Sequence, residues 1–430
     1  MEKLAISGGG KAITESSEGV NDWPLFGKEE LKEVTRVLFS GYWCYDEMGL
    51  LEEELKNYFG VKYALSCVNG TAAIHSGLFA LGLGPGDEVI VPSYSYWATC
   101  LGILCVNALP VFVDIDDKTL NIDPADIERK ITNRTKAIMI LHLWGNPCDM
   151  DAIMKIAQKH RLKVVEDAAH AHGATLHGKR LGAIGDVGCF SMQASKNLPA
   201  IEGGFLLTNN KEYYQRALAL GHYGRLTGTK YARYNNTSLG YKYRIHPLSA
   251  AIARVQLRKL DAHNRQRNKN IEYLCRKVKE LPGIREFSSP PGSKRVYYGF
   301  RLRYIPEELG GFPLDSFLDA LNAEGAEAAS ERYSLKHLEP LFSKENVFDK
   351  KYPWNLGKAW RKAIYSKGDL PETEKAFQSV IALPTFQRAS QKLLDQYAGA
   401  FEKVCTQYRD IPKGLSGAKK AVDGSRATIR

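Results

Sequence analysis

The chain has 430 residues, which is enough for two or three domains with a sizeable core. Hydrophobic residues make up 44% and charged residues 25%, a composition that excludes an intrinsically disordered protein. The formal net charge of +11 is compatible with nucleic acid, an anionic membrane surface or small anionic ligands, and composition does not choose among them.

The N-terminal segment and the cysteines predict the compartment. Residues 1–19 lack the apolar run of a secretory signal, so we expect a cytoplasmic protein. The longest uncharged stretch, residues 89–113, is long enough for a membrane helix, but its prolines and polar residues predict two short strands instead. The eight cysteines include no CxxC pair and lie mostly in apolar segments, which favours buried, reduced thiols over disulfides or a metal site.

Short apolar runs alternate with amphipathic segments between residues 60 and 208. Two of the amphipathic segments, residues 71–83 and 149–160, carry apolar residues at helical spacing. The seven runs predicted as strands are residues 63–68, 88–92, 110–115, 137–143, 162–167, 187–192 and 203–208. This alternation predicts a mostly parallel sheet covered on both faces, with ligands bound at the carboxyl ends of its strands.

The pattern changes after about residue 265. A long helix, an extended segment at 296–305, a helix at 315–325 and a closing helix at 391–405 predict a smaller α+β domain. We therefore expect a large domain at residues 20–262 and a small C-terminal domain at residues 263–410. Residues 411–430 hold few large apolar groups and are predicted to form a flexible basic tail.

Two groups of residues stand just after the first predicted strands. Asn69, Gly70 and Thr71 open a helix, where free amides and a hydroxyl can cradle an anion or simply cap the helix. Tyr96 and Trp97 follow the next strand, and such aromatics either pack in the core or stack on a planar cofactor.

Glu166 and Asp167 end the strand at 162–167. A carboxylate in that place can hold a positive ring nitrogen, hold a metal, or cap the next segment. His170 and His172 follow, but no second group of ligands at metal spacing is present, so we predict no metal site.

Ser191 ends a later strand, and Lys196 follows it in the uncharged context QASKNLP. A lysine after a strand is usually a solvated loop residue. Here the apolar strand before it and the single nearby charge, Glu202, favour a nucleophilic amine of the kind that forms a Schiff base. Pyridoxal phosphate (PLP) requires four such groups at one sheet edge: an anion site, an aromatic ring to stack on, a carboxylate and a lysine.

The order of these motifs resembles the DegT/StrS family of PLP-dependent sugar aminotransferases, which have the type I, aspartate aminotransferase-like fold. The resemblance covers about residues 20–408. It rests on FSGYW (39–43), VNGTAAIHSGL (68–78), GDEVIVPSYSYWAT (86–99), WGNPCDMDAI (144–153), VVEDAAHAHGA (164–174), FSMQASKNLPAIEGGF (190–205), LPETE and ALPTF. It implies an α/β chain with the seven-stranded sheet in the large domain and the α+β domain behind it.

The resemblance also implies roles for individual residues. Lys196 would be the catalytic lysine that attaches to PLP, and Asp167 would pair with the pyridine nitrogen. The other implied cofactor contacts are Gly70, Thr71, Tyr96, His170, Ser191, Gln193 and, from the neighbouring subunit of a homodimer with shared active sites, Lys242.

Within the family, ISGGG, QASKNL, GHYGR and RIHPLSAAIA are most similar to the glutamine:scyllo-inosose, or cyclitol, branch. The branch implies glutamine or glutamate as amino donor and a keto-cyclitol or keto-sugar as acceptor, in a ping-pong reaction. Lys242 stands where aminotransferases of nucleotide-linked sugars usually have Asn. Tyr42, Trp43, Tyr333 and His337 are either substrate-pocket residues or packing residues.

Three alternatives to this function differ in what they require. An aminotransferase of nucleotide-linked or phosphorylated keto-sugars would share the cofactor site. A PLP-dependent sugar dehydratase would have His in place of Lys196, and a non-catalytic regulator would have no need of Lys196 or Asp167. No helix-turn-helix, finger or aromatic RNA-binding motif is present, so we expect neither a nucleic-acid nor a membrane partner.

The positive charge is concentrated in residues 213–260, which hold nine Lys and Arg and no Asp or Glu. It is either a solvated basic surface or a field that attracts the anionic groups of cofactor and donor in a neighbouring subunit.

Overall fold

The computed structural model describes residues 2–41, 45–237, 239–330, 333–343 and 365–411. The expected pocket residues Tyr42 and Trp43 lie outside the described residues, and so does the expected tail beyond Ile411. Within the described ranges, no helix is long and apolar enough to cross a membrane.

A seven-stranded sheet forms the centre of the first half of the chain, as predicted. Its strands are β1 (Tyr63–Cys67), β2 (Glu88–Pro92), β3 (Leu109–Val113), β4 (Thr135–Leu141), β5 (Lys163–Asp167), β8 (Val187–Ser191) and β9 (Gly204–Thr208). Their order across the sheet is β1-β9-β8-β5-β4-β2-β3. Only β9 runs antiparallel to its neighbours, which confirms the mostly parallel sheet.

Helices cover both faces of this sheet because its strands are apolar on both sides. The helices of this part are α1 (Lys28–Phe39), α2 (Tyr45–Phe59), α3 (Gly70–Ala80), α4 (Trp97–Cys105), α5 (Pro124–Lys130), α6 (Met150–His160), α7 (Lys211–Gly221) and α8 (Pro247–Val278). Val164 of β5 packs into the core that α2, α6 and α8 share, and its neighbour Val165 packs into the core of α3, α4 and α7.

The C-terminal part is the predicted smaller α+β unit. Its elements are β10 (Ile284–Glu286), β12 (Phe300–Tyr304), α9 (Leu314–Ala323), β13 (Ala329–Ser330), α10 (Pro340–Ser343), α11 (Pro371–Ala376), β14 (Val380–Leu383) and α12 (Gln391–Gln407). Its four-stranded sheet has the order β10-β12-β14-β13 and is antiparallel throughout. A further small sheet joins β6 (Thr175–Leu176), β7 (Lys179–Arg180) and β11 (Ser293–Lys294).

Helix α8 connects the two parts without a break. Ala253 and Leu260 belong to the core of the large sheet, whereas Ile271 and Val278 belong to the core of the small one. The expected division between residues 262 and 263 falls inside this helix and stays a prediction.

Candidate functional site

A cavity of about 270 Å³, which we call the site cavity, opens where strands β5 and β8 end. Most of the residues singled out in the sequence line it, although the chain separates them widely. The predicted residues that line it are Gly70, Thr71, Tyr96, Asp167, His170, Ser191, Gln193, Lys196 and Tyr333. The strand ends therefore meet at one edge of the sheet, as expected for a parallel arrangement.

The start of helix α3 closes against Ser191. Asn69 caps the helix, and its Oδ1 accepts a hydrogen bond from the amide of Ala72 at 2.8 Å. A Cβ atom added to Gly70 would lie 2.8 Å from the Cβ of Ser191, so only glycine permits this approach. The cap leaves Thr71 on the cavity wall, where a helix N-terminus favours an anion.

Asp167 presents its carboxylate to the site cavity. Oδ2 accepts a hydrogen bond from the hydroxyl of Thr99 at 2.8 Å, and Oδ1 accepts one from the amide of Ala169 at 3.1 Å. Burial raises the pKa of Asp167, against these two hydrogen bonds and the charge of Lys196. A cation placed at this carboxylate would offset the cost of its burial.

Glu166, the preceding residue, points into the protein and serves the folded structure. Its carboxylate accepts hydrogen bonds from the amides of Gly182, Ile184 and Gly185 at 2.7, 2.8 and 2.6 Å. His142 adds a contact of 3.0 Å through Nε2. Burial alone would raise the pKa of Glu166, but these contacts outweigh it and lower the pKa. Of the two carboxylates, only Asp167 is available to a ligand.

Lys196 lies in the loop between β8 and β9, and its backbone is fixed on both sides. Its amide donates to the carbonyl of Gln193 at 2.8 Å, and its carbonyl accepts from the indole of Trp23 at 2.9 Å. Its Nζ lies 4.2 Å from the ring centroid of Tyr298. The lysine is therefore held by the protein and is not a freely solvated loop residue.

His170 is an uncharged wall residue. Its Nδ1 accepts a hydrogen bond from the amide of Trp144 at 3.3 Å, which leaves the proton on Nε2. Burial lowers its pKa well below the ordinary value, and the charge of Lys196 adds to the effect.

The two aromatic residues after β2 differ: one lies at the cavity and the other packs in the core. Tyr96 is 50% exposed and lines the site cavity. Trp97 instead packs on Phe342, with ring centroids 5.9 Å apart. Of these two residues, only Tyr96 is placed to meet a planar ligand.

The two described residues expected to contact substrate differ. Tyr333 lines the site cavity and stacks on Trp144, with ring centroids 6.1 Å apart and planes 15° apart. His337 is fully buried away from the cavity lining, where Nδ1 meets the hydroxyl of Ser93 at 2.7 Å and Nε2 meets Glu374 at 3.2 Å. The packing interpretation therefore fits His337.

Lys242 is exposed and does not line the site cavity of its own chain. Four of the nine cations in residues 213–260 pair with carboxylates outside that range, so the two interpretations of the basic stretch stay predictions. Its ion pairs are Arg225 with Glu52 at 2.7 Å, Arg254 with Glu47 at 2.9 Å and Glu54 at 2.8 Å, Lys259 with Glu30 at 2.8 Å, and Lys230 with Glu212.

Two lining residues and one partner of the site have no signal of their own in the sequence. Ser195 lies beside Lys196 in the lining, and Thr99 hydrogen-bonds Asp167 from helix α4. Tyr298 belongs to an apolar extended segment, where a tyrosine is indistinguishable from a core residue. Across the described part of the chain, no cluster of His, Cys, Asp and Glu is arranged to hold a metal ion.

Comparisons with known proteins place the chain in a family. Residues 24–402 match the model of the DegT/DnrJ/EryC1/StrS aminotransferase family. The chain is 33% identical to the L-glutamine:scyllo-inosose aminotransferase of Streptomyces griseus, over 95% of this chain and 99% of that protein. It is 36% identical to a putative L-glutamine:3-amino-2,3-dideoxy-scyllo-inosose aminotransferase of Micromonospora echinospora, over 79% of this chain and 82% of that protein.

Among solved structures, DesV of S. venezuelae in complex with a ketimine intermediate superimposes with a TM-score of 0.75 at 30% identity. The alignment covers 88% of this chain and 94% of DesV. With a family model that matches most of the chain and relatives of the same length, the chain belongs to the DegT/DnrJ/EryC1/StrS aminotransferase family.

Proposed function

We propose that this PLP-dependent aminotransferase moves an amino group from glutamine or glutamate to a keto-cyclitol or a free keto-sugar. Membership of the family makes the chain a sugar or cyclitol aminotransferase, and the proposal adds the donor, the acceptor class and the site. The observation that carries it is the placement of the Lys196 amine, the Asp167 carboxylate and the first turn of α3 around one cavity.

The residues present fit PLP in one orientation. The first turn of α3, with Thr71 and Ser191 on the cavity wall, suits its phosphate. In that orientation Asp167 would hold the pyridine nitrogen, Lys196 would meet the aldehyde and Tyr96 would cover the ring. His170 and Gln193 complete the walls beside it.

When bound, PLP supplies an aldehyde that joins to amines and a pyridinium ring that withdraws electrons. Asp167 would hold the proton on the ring nitrogen, and Thr99 fixes the carboxylate for that task. The amine of Lys196 would take a proton from the α-carbon of the donor and return it to the cofactor. The deaminated donor would leave before the acceptor binds, and the same residues would then act in reverse, which would make the reaction ping-pong.

The acceptor class rests on the relatives and on one wall of the site. Two relatives that cover most of the chain carry names of inosose aminotransferases. Tyr333, stacked on the buried Trp144, presents its ring to the cavity, where it suits the apolar face of a six-membered ring. We further propose a homodimer in which Lys242 of a second copy approaches the site cavity, since its own chain leaves it exposed.

Two half-reactions measured by absorbance test this function. The PLP-loaded protein is mixed with glutamine, glutamate or alanine, and we expect loss of the cofactor's aldehyde absorbance with the first two only. The aminated form is then mixed with scyllo-inosose, a keto-sugar phosphate or a nucleotide-linked keto-sugar. Recovery of the aldehyde absorbance with scyllo-inosose is expected. Recovery only with the nucleotide-linked sugar would overturn the acceptor class, and no response to either donor would overturn the donor.

A further inference from the structure

Tyr298 brings an aromatic ring and a phenol to the amine of Lys196, although it comes from the C-terminal part of the chain. The Nζ atom of Lys196 lies 4.2 Å from the centroid of its ring. The same ring stacks on the imidazole of His170, with centroids 4.2 Å apart and planes 14° apart. Tyr298 also lines the site cavity, so it lies beside the group on which the proposed reaction depends.

The position of Tyr298 is fixed by the turn that orients His170. The amide of Tyr298 donates to the carbonyl of Trp144 at 3.2 Å, and the amide of Val296 donates to the carbonyl of Gly145 at 3.2 Å. Trp144 in turn donates its amide to His170. Gly145 has a φ of +89°, and a Cβ there would lie 2.2 Å from the carbonyl oxygen of Val296, so only glycine permits this contact.

The directions of the hydrogen bonds around the phenol follow from one fixed donor. The amide of Ser195 donates to Oε1 of Gln193 at 2.8 Å, so that atom is an acceptor. The hydroxyl of Ser195, 2.6 Å from the same atom, must then donate to it. Its remaining contact, 3.2 Å to the phenol oxygen of Tyr298, is therefore one in which Tyr298 donates.

This order leaves the lone pairs of the phenol oxygen for Lys196, whose Nζ lies 4.2 Å from the centroid of the same ring. Burial opposes ionisation of Tyr298, but the nearby charge of Lys196 and the contact with Ser195 prevail and lower its pKa. Donors and acceptors are therefore consistent along the series that runs from Gln193 through Ser195 and Tyr298 to Lys196.

We propose that Tyr298 is a positioning residue for Lys196, which its phenol oxygen directs toward the reacting atoms whenever the lysine is free of the cofactor. Gln193 and Ser195 fix the phenol for this purpose. The inference rests on the proposed function and deepens it, because it says what guides the amine between attachment to the cofactor and proton transfer.

The test compares Tyr298→Phe with Tyr297→Phe. The first variant keeps the ring that faces Lys196 and His170 and loses only the hydroxyl. The second is a control at the adjacent tyrosine, since Tyr297 is buried in the small-domain core and its hydroxyl donates to Glu286 at 3.0 Å, away from the site cavity. Two readouts are recorded: the rate at which cofactor-free protein attaches PLP to Lys196, followed by absorbance, and the KM and kcat for glutamine.

For Tyr298→Phe we expect attachment of PLP and kcat to fall by roughly tenfold to a hundredfold, with the KM for glutamine unchanged. Tyr297→Phe is expected to match the wild type in both. Ser195→Ala keeps the phenol and removes its acceptor, so a smaller loss of about threefold to tenfold is expected. If Tyr298→Phe does not fold, Ser195→Ala still tests the same series of hydrogen bonds.

The outcomes separate the two claims. Wild-type attachment and kcat in both Tyr298→Phe and Ser195→Ala would overturn the positioning role and leave the proposed function intact. A raised KM with unchanged kcat would overturn it too, because the tyrosine would then serve donor binding. If the wild-type protein attached no PLP to Lys196, the proposed function would fail together with this inference.

Discussion

Two regions meet at the end of strand β5 and use the same kinds of polar side chain for opposite purposes. Behind the strand, Glu166 and His142 are buried together. The Glu166 carboxylate accepts hydrogen bonds from three backbone amides and contacts the ring of His142. In front of it, Asp167 and Lys196 share the site cavity, and among the described residues the carboxylate accepts hydrogen bonds from one hydroxyl and one amide. A carboxylate whose hydrogen-bonding capacity is filled by the protein stabilises the fold, whereas one with capacity left is available to a ligand.

The largest expected effect that this comparison predicts is at Lys196. Lys196→Ala should lower turnover by at least about 10⁴-fold, because it removes both the attachment point and the acid–base group. Steady-state rates with glutamine and scyllo-inosose measure this. The matched control is Lys336→Met, since Lys336 is buried and its Nζ donates to Ser334 at 2.8 and 2.6 Å, away from the cavity lining. Wild-type turnover in Lys196→Ala would contradict the assignment.

Neutralising Asp167 should have the next largest effect. In Asp167→Asn the pyridine nitrogen loses its anionic partner, and kcat should fall by about 10²-fold to 10³-fold while the protein stays folded. Single-turnover reaction with glutamine is the measurement. Should kcat stay within threefold of the wild type, another residue would have to hold the ring nitrogen.

The neighbouring change, Glu166→Gln, should affect stability instead. An amide NH₂ group would face the backbone donors that the carboxylate now accepts, and the free energy of unfolding should fall by about 3 kcal/mol. Urea unfolding measures it, and kcat below the unfolding transition should stay within about twofold. A large loss of kcat with unchanged stability would reverse the roles that we assign to the two carboxylates.

The pH dependence of that stability difference has a definite sign. The pKa of Glu166 is lowered in the folded protein from its ordinary value of 4.5, so its contribution is complete above about pH 4.5. It is lost as the pH falls through the lower folded value, where the carboxylate is protonated in both states. The difference between wild type and Glu166→Gln should therefore be constant from pH 7 to 5 and shrink only below. A difference that grows with acidity would contradict the account.

The sequence predicted the sheet and the strand-end residues because both depend on local pattern. Apolar runs that alternate with helices determine a parallel sheet, and a parallel sheet brings Gly70, Asp167 and Lys196 to one edge whatever their separation. The local pattern could not divide Glu166 from Asp167, since which neighbour turns inward depends on the amides of residues 182–185, and only the family resemblance chose Asp167. It also missed Tyr298 and could not decide between the two roles of His337, because both depend on packing between distant segments.

The phosphate end of the site should give a smaller effect. Thr71→Val removes a hydroxyl that lines the cavity at the first turn of α3 and leaves the backbone amides in place. We expect the dissociation constant for PLP to rise by about tenfold, as measured by titration of cofactor-free protein. Unchanged affinity would show that the phosphate does not occupy this end of the cavity.

The substrate residues should show the smallest difference. Tyr333→Leu should raise the KM for the acceptor by roughly threefold to tenfold, because it removes aromatic surface from the cavity. His337→Gln should leave that KM unchanged, since its partners are Ser93 and Glu374. Equal effects in the two variants would indicate that His337 also reaches the substrate.

The central claim is that the amine of Lys196 carries the cofactor in the site cavity and yields it to the amino donor. It is tested most directly by adding PLP, reducing with borohydride and mapping the modified peptide by mass spectrometry, with and without prior glutamine. We predict one modification, on Lys196, that disappears when glutamine is added first. Modification of a different lysine, or a Lys196 label that persists after glutamine, would contradict the account.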